Sequence, residues 1–182
     1  GPAQPGDPAG YVAAVGELAR RLGWPVLADA LSPVRQYASL VPHVVTAYDV
    51  ILRNSAAAER LRAETVLCLG NWPTSKVLRG WLEAADATVY MVSERVDNRD
   101  ALHGRTRTLA VSLPVLAAHV QAATEPNGYE RMWAAMEKKI RSELDARLAA
   151  EAGMFEPKAA WLLARTLPAE TPLVIANSMP IR

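Results

Sequence analysis

Apolar residues along this chain fall into two rhythms, short unbroken runs and longer helical stripes, and their alternation predicts a layered α/β fold. Within residues 7–22 the apolar positions Tyr11, Val12, Val15, Leu18, Ala19 and Leu22 recur at helical spacing, and Gly23-Trp24-Pro25 ends that helix. Residues 26–28 read as a short buried strand whose carboxyl end carries Asp29. A loop rich in Ser, Pro and aromatic residues runs to about Pro42, and helical patterning follows over residues 48–61, with an interruption near Asn54-Ser55. Residues 65–69 are the clearest strand, all but the first apolar and bounded by Gly70. Thr74-Ser75 cap a helix through residue 85, and 88–92 form the next strand. The pattern continues with a strand at 108–111, a helix from 112 to about 123, a long charged helix at 129–150, a helix at 155–167 and a last strand at 172–176.

Short apolar strands alternating with helices of about a dozen residues imply an open, Rossmann-like parallel sheet with helices on both faces. The expected division is a Rossmann-like domain over residues 1–125, a connecting helix over 126–152, and over 153–182 the first helix and strand of a further domain. The first predicted element is a helix, whereas a three-layer domain of this kind ordinarily opens on a strand. Two readings follow: a first strand precedes Gly1, or Gly1-Pro2 is a scar of tag removal. The other end stops between a strand and its helix, so the chain reads as a proteolytic or designed fragment.

Composition narrows the classes. The 182 residues are 51% hydrophobic and 21% charged, which suits a globular domain with a full core. A formal net charge of +1 gives no reason to expect nucleic acid or an acidic membrane surface as partner. No apolar run approaches the ~20 residues of a membrane span, and no secretory signal opens the chain, so a cytoplasmic protein is expected. Cys68 is the only cysteine and sits inside an apolar run, where it reads as a small buried hydrophobe.

Candidate chemistry is sparse. His43, His103 and His119 are scattered, with no acids at metal-ligand spacing, and there is neither G-x-G-x-x-G nor a P-loop. Lys76, in the first turn after the 65–69 strand, falls at the carboxyl edge of the sheet, where open α/β folds bind ligands; a solvated lysine is the plainer alternative. Arg95, Arg99, Arg105 and Arg107 form a second basic patch, either a salt-bridged rim with Glu94, Asp97 and Asp100 or a candidate anion pocket. Asn177-Ser178, placed after the apolar run 173–176, offers a hydroxyl and helix-start N–H groups to an anion, or simply caps a helix; Arg182 adds a guanidinium one turn on. Of the five tryptophans, Trp81 and Trp161 fit core stripes, while Trp24, Trp72 and the helix around Trp133 are placed to pack against a neighbouring domain.

Three segments carry a resemblance: Leu22-Gly23-Trp24-Pro25-Val26-Leu27-Ala28-Asp29-Ala30-Leu31-Ser32-Pro33-Val34-Arg35, then Gly70-Asn71-Trp72-Pro73-Thr74-Ser75-Lys76, then Asn177-Ser178-Met179-Pro180-Ile181-Arg182. In this order and spacing they resemble the thiamine-diphosphate-dependent SEPHCHC synthase family of menaquinone and phylloquinone biosynthesis. The resemblance covers nearly the whole chain but only the middle of such an enzyme, between a pyrimidine-binding and a diphosphate-binding domain. It implies a parent that decarboxylates 2-oxoglutarate with thiamine diphosphate and magnesium and adds the succinyl unit to isochorismate. The cofactor-activating glutamate and the metal motif fall outside this chain, which is therefore expected to hold no cofactor and to be inactive alone. The resemblance further implies that Asn177, Ser178 and Arg182 contact substrate or the cofactor-bound intermediate, and that Lys76 reaches the acidic substrate. Val77 stands where some relatives carry a second basic residue. Implied partners are the remaining domains, a second copy in a dimer or tetramer, and small acidic substrates. Rival readings are a regulatory domain binding an acidic naphthoate, as some family members do, a purely structural spacer, and an unrelated nucleotide-binding Rossmann domain.

Overall fold

A computed structural model describes residues 1–94, 105–123 and 128–175. The elements run α1 (Pro8–Leu22), β1 (Val26–Leu27), β2 (Val44–Val45), α2 (Tyr48–Leu52), α3 (Ser55–Arg60), β3 (Thr65–Leu69), α4 (Lys76–Ala84), β4 (Thr88–Ser93), β5 (Thr106–Ala110), α5 (Leu113–His119), α6 (Tyr129–Ala150) and α7 (Glu156–Thr166). Among the described residues the strands form two all-parallel pieces, β1-β2 and β3-β4-β5. Helices cover both faces, as the strand and helix rhythm predicts.

The local chemistry explains the boundaries. Asp7 caps α1 through its Oδ1 and the Gly10 N–H at 3.0 Å, Pro8 fills the first helical position, and Gly23 at φ +64° closes the helix on the Ala19 carbonyl. Asn54 interrupts the 48–61 stripe because its Oδ1 accepts the Ala57 N–H at 2.9 Å and starts a new helix. Alternate residues of β3 enter different cores. Val66 packs with Tyr48, Ile51, Leu61, Leu78, Leu82 and Trp133 beneath α2, α3, α4 and α6, while Leu67 and Leu69 join Val12, Val15, Leu18, Leu113 and Ala117 beneath α1 and α5. The edge strand β5 is guarded by polar positions, with Arg107 and Thr108 exposed.

Several expectations are corrected. The predicted strand at 172–176 is not one over its described residues: 172–175 carry no regular structure and Val174 is 95% exposed, since a strand without a neighbouring ladder has no partner for its backbone. The helix expected to about 123 ends at His119, where the Arg21 guanidinium takes the Ala118 and Val120 carbonyls and Ala123 N–H donates to the Arg21 carbonyl. The fifth strand starts at Thr106 rather than 108, because Thr106 is in register with Val89. Trp133, expected to face a neighbouring domain, is completely buried in the larger core; Trp161, expected in a core, is only half-buried against α6, where its Nε1–H donates to Asp145 Oδ1 at 2.8 Å. Strand β2 carries no sequence signal, being two residues long. Among the described residues no helix is long and apolar enough to cross a membrane.

Candidate functional site at the carboxyl edge

The carboxyl ends of the strands meet in a network of polar side chains around one buried carboxylate, Asp29. Asp29, which follows β1 and is 2% exposed, accepts the Thr74 N–H at 2.9 Å, the Thr74 hydroxyl at 2.8 Å and the Leu31 N–H at 3.1 Å. It thereby ties the end of β1 to the loop after β3 across 45 residues of sequence. Arg35 Nε donates to the Ala28 carbonyl at 3.0 Å and its Nη2 to the Thr46 carbonyl at 3.3 Å, joining the ends of β1 and β2. Glu137 of α6 accepts the Thr46 hydroxyl at 2.6 Å and the Ala47 N–H at 2.8 Å. Ser75 caps α4 by accepting the Leu78 N–H at 3.1 Å and donates its own hydroxyl to Asp49 at 2.5 Å.

This network positions the loops at the carboxyl edge. Burial pulls the Asp29 carboxyl upward more than any other single influence, yet the hydrogen bonds from Thr74 and Leu31 and the positive amino terminus together hold it below its ordinary 3.8. Burial, aided by the Asp29 charge, pushes the Tyr48 phenol up to about 12. Burial likewise raises the Cys68 thiol, against the pull of the amino-terminal charge, so that sulfur is a poor nucleophile.

The accessible chemistry sits on top. Lys76 is exposed in the first turn of α4, and Arg79, one turn on, shares with it a shallow depression of about 380 Å³ also lined by Trp72, Gly80 and Glu83. Two cations over a helix start suit a carboxylate or phosphate. Position 77 is a valine, and the second cation is Arg79, whose i+3 spacing from Lys76 is the sequence signal for it.

The second basic patch lies elsewhere. Arg105 Nη1 donates to the Glu83 carbonyl at 3.0 Å, in the last turn of α4, and the Arg107 guanidinium stands 6.0 Å from the Tyr90 ring centroid. Glu83 is seven positions along α4 from Lys76, about 10 Å along the axis, and Arg105 directly precedes the first residue of β5. The described part of this patch therefore belongs to the opposite, amino edge of the sheet. Arg95, Arg99, Asn177, Ser178 and Arg182 lie outside the described residues. Among the described residues no three His, Cys, Asp or Glu side chains gather as a metal site, and no row of glycines opens a helix. They do not fit a diphosphate with its metal.

Comparison with known proteins adds the family. The family model described as the middle domain of thiamine pyrophosphate matches residues 8–175. The chain is 42% identical over 183 aligned residues to a 2-succinyl-5-enolpyruvyl-6-hydroxy-3-cyclohexene-1-carboxylate synthase of Microcystis aeruginosa, covering 100% of this chain and 32% of that protein. A protein of the same name from Synechococcus sp. (strain JA-3-3Ab) is 45% identical over 183 residues, covering 100% and 30%. One from Gloeothece citriformis is 42% identical over 178 residues, covering 97% and 31%. The chain thus spans about a third of the length of these relatives.

Proposed function

Because the chain belongs to the family of thiamine pyrophosphate middle domains, we propose that it is the central segment of a SEPHCHC synthase. The observation that carries this is similarity running from one end of the chain to the other, at 42% identity over its full length, to a protein of that name. In the parent, 2-oxoglutarate loses carbon dioxide and the remaining four-carbon unit joins isochorismate; the cofactor, with magnesium, supplies the carbanion stabilisation when bound. The division into 1–125, 126–152 and 153–182 is retained, with the first half of α6 anchored on the core through Trp133. Lys76 and Arg79 together take the place of the expected lysine alone, as a two-cation grip on a substrate carboxylate. Asn177, Ser178 and Arg182 belong to the substrate side of the site completed by the rest of the polypeptide and by a second copy in a dimer or tetramer. A cytoplasmic location follows from that biosynthetic role. The regulatory reading ranks second because the similarity is to synthases by name, while Arg105 and Arg107 already hold the Glu83 carbonyl and the Tyr90 ring.

The test is the complete parent polypeptide with thiamine diphosphate and magnesium. Carbon dioxide should be released from 2-oxoglutarate in step with isochorismate consumption, one for one; release that ignores isochorismate would overturn the assignment. In that enzyme Arg182→Lys loses a bidentate contact, worth about 1.5–3 kcal/mol for a charge-assisted bond, so kcat/KM for an acidic substrate should fall by roughly one to two decades. Cofactor affinity should be unchanged. A weakened cofactor with intact substrate constants would put Arg182 on the other side of the site.

The 182-residue chain itself should not bind the cofactor. Calorimetric titration with thiamine diphosphate and magnesium should give only heat of dilution, and micromolar binding would show that the present residues assemble a site unaided.

A further inference from the structure

The backbone that enters α4 is held at two consecutive residues by carboxylates from two other elements. Thr74 is bound by Asp29, at the end of β1, and Ser75 by Asp49, in the first turn of α2. Lys76 comes next, and Arg79 follows one turn later. Asp29 is buried, so its bonds chiefly hold the fold together. Asp49 differs: its side chain is 36% exposed, and its bonds end on the helix start and on Arg53.

Asp49 stands on a rigid base. Its neighbours Tyr48, Ile51 and Leu52 are buried in the larger core, and Glu137 of α6 fixes the Ala47 N–H at 2.8 Å. A carboxylate oxygen held there, 2.5 Å from the Ser75 hydroxyl oxygen, decides where the single hydroxyl proton points. With that proton turned to Asp49, the Ser75 oxygen offers its lone pairs to the Leu78 N–H at 3.1 Å, and a full negative charge polarises the cap. That cap sets the direction of the first turn of α4, which carries Lys76.

A bare carboxylate beside the grip would repel an acidic substrate. Arg53, directly after α2, offsets the charge: its Nε donates to Asp49 Oδ2 at 3.1 Å while Oδ1 takes Ser75. The pair thus delivers an anionic acceptor to the helix start with no net charge.

We propose that Asp49, balanced by Arg53, is a positioning residue for the substrate grip: through Ser75 it fixes the first turn of α4, and with it the Lys76 ammonium, in the geometry that meets a substrate carboxylate. The inference rests on the proposed role of Lys76 and Arg79 in the parent enzyme. Asp49 acts on binding rather than on folding, because a partly exposed ion pair and hydroxyl bond add little to stability.

The test is a mutant cycle in the complete parent with thiamine diphosphate and magnesium. Asp49→Ala should raise KM for an acidic substrate about tenfold, with kcat and cofactor affinity within about twofold of wild type. Its melting point should stay within about 3 °C. Asp49→Asn, whose amide oxygen still accepts the Ser75 hydroxyl, should recover most of the loss. The decisive background is Lys76→Met, where Asp49→Ala should change kcat/KM less than about twofold, because no ammonium is left to position. If Asp49→Ala does not fold, Ser75→Ala severs the same bond from the helix side and enters the same cycle. An unchanged KM, a loss that persists in full beside Lys76→Met, or a loss that Asp49→Asn does not recover would each overturn the positioning role while leaving the synthase assignment standing. A wild-type parent that releases carbon dioxide without consuming isochorismate would instead overturn the assignment, and the grip with it, before any variant is compared.

Discussion

Replacing Asp29 with alanine should cost the fold about 3 kcal/mol, visible as a drop in the urea midpoint at neutral pH. The carboxylate is 2% exposed and accepts the Thr74 N–H, the Thr74 hydroxyl and the Leu31 N–H. Its removal leaves three donors without a partner, the N–H and hydroxyl of half-buried Thr74 and the N–H of exposed Leu31, at about 1–3 kcal/mol for each that water does not reach. The rim that joins β1 to the loop carrying Lys76 is lost with it. Asp29→Asn keeps one oxygen, which can serve both Thr74 donors, but sets its NH2 against the Leu31 N–H, so it should recover only part of the loss. The pH dependence has a definite sign. The folded carboxyl titrates below its ordinary 3.8, so its contribution is present above the unfolded value and disappears as pH falls through the folded one. The gap between wild type and Asp29→Ala should therefore be constant near neutrality and narrow below about pH 4. A gap that instead widened in acid would mean that Asp29 is held protonated in the fold.

Trp133→Ala should be the most damaging single change, at about 3–5 kcal/mol, a large part of the ~5–15 kcal/mol that holds a typical domain together. Trp133 is completely buried, and its ring meets Trp81 edge-on at 6.0 Å and Tyr129 at 6.5 Å. Tyr129 in turn anchors the start of α6 by donating its hydroxyl to the Leu61 carbonyl at 2.7 Å. Truncation opens a large cavity between α4 and α6 beside the space already present next to β3, so neighbours have little to collapse onto. Trp161→Ala is the matched comparison. That ring is half-buried, holds one hydrogen bond to Asp145 and packs under Arg165 at 4.8 Å, so its loss should cost about 1 kcal/mol. Denaturation curves showing equal losses for the two tryptophans would contradict the burial difference between them.

These two residues also show where sequence reasoning reached its limit. Local signals were legible: the apolar run of β3, the Ser75 cap, the Asn54 break and the full span of α6 each follow from interactions within a few residues, and Thr65–Leu69 and Tyr129–Ala150 stand where the pattern puts them. The parallel α/β class followed from the same alternation. Lys76 was placed at the carboxyl edge for the same reason, since a helix that directly follows a strand must begin there. Other features were decided by tertiary structure alone. A helical stripe does not say which tryptophan meets another helix, so Trp133 and Trp161 exchanged places. Asp29 and Thr74 are 45 residues apart, and only the adjacency of the sheets' carboxyl ends makes them partners. Strand β2, two residues long, pairs with β1, and residues 172–175 pair with no strand among the described residues. Hydrogen bonds along a helix close within one turn and are written in local sequence, whereas those of a sheet and of a buried rim need a partner that only the folded chain brings into reach.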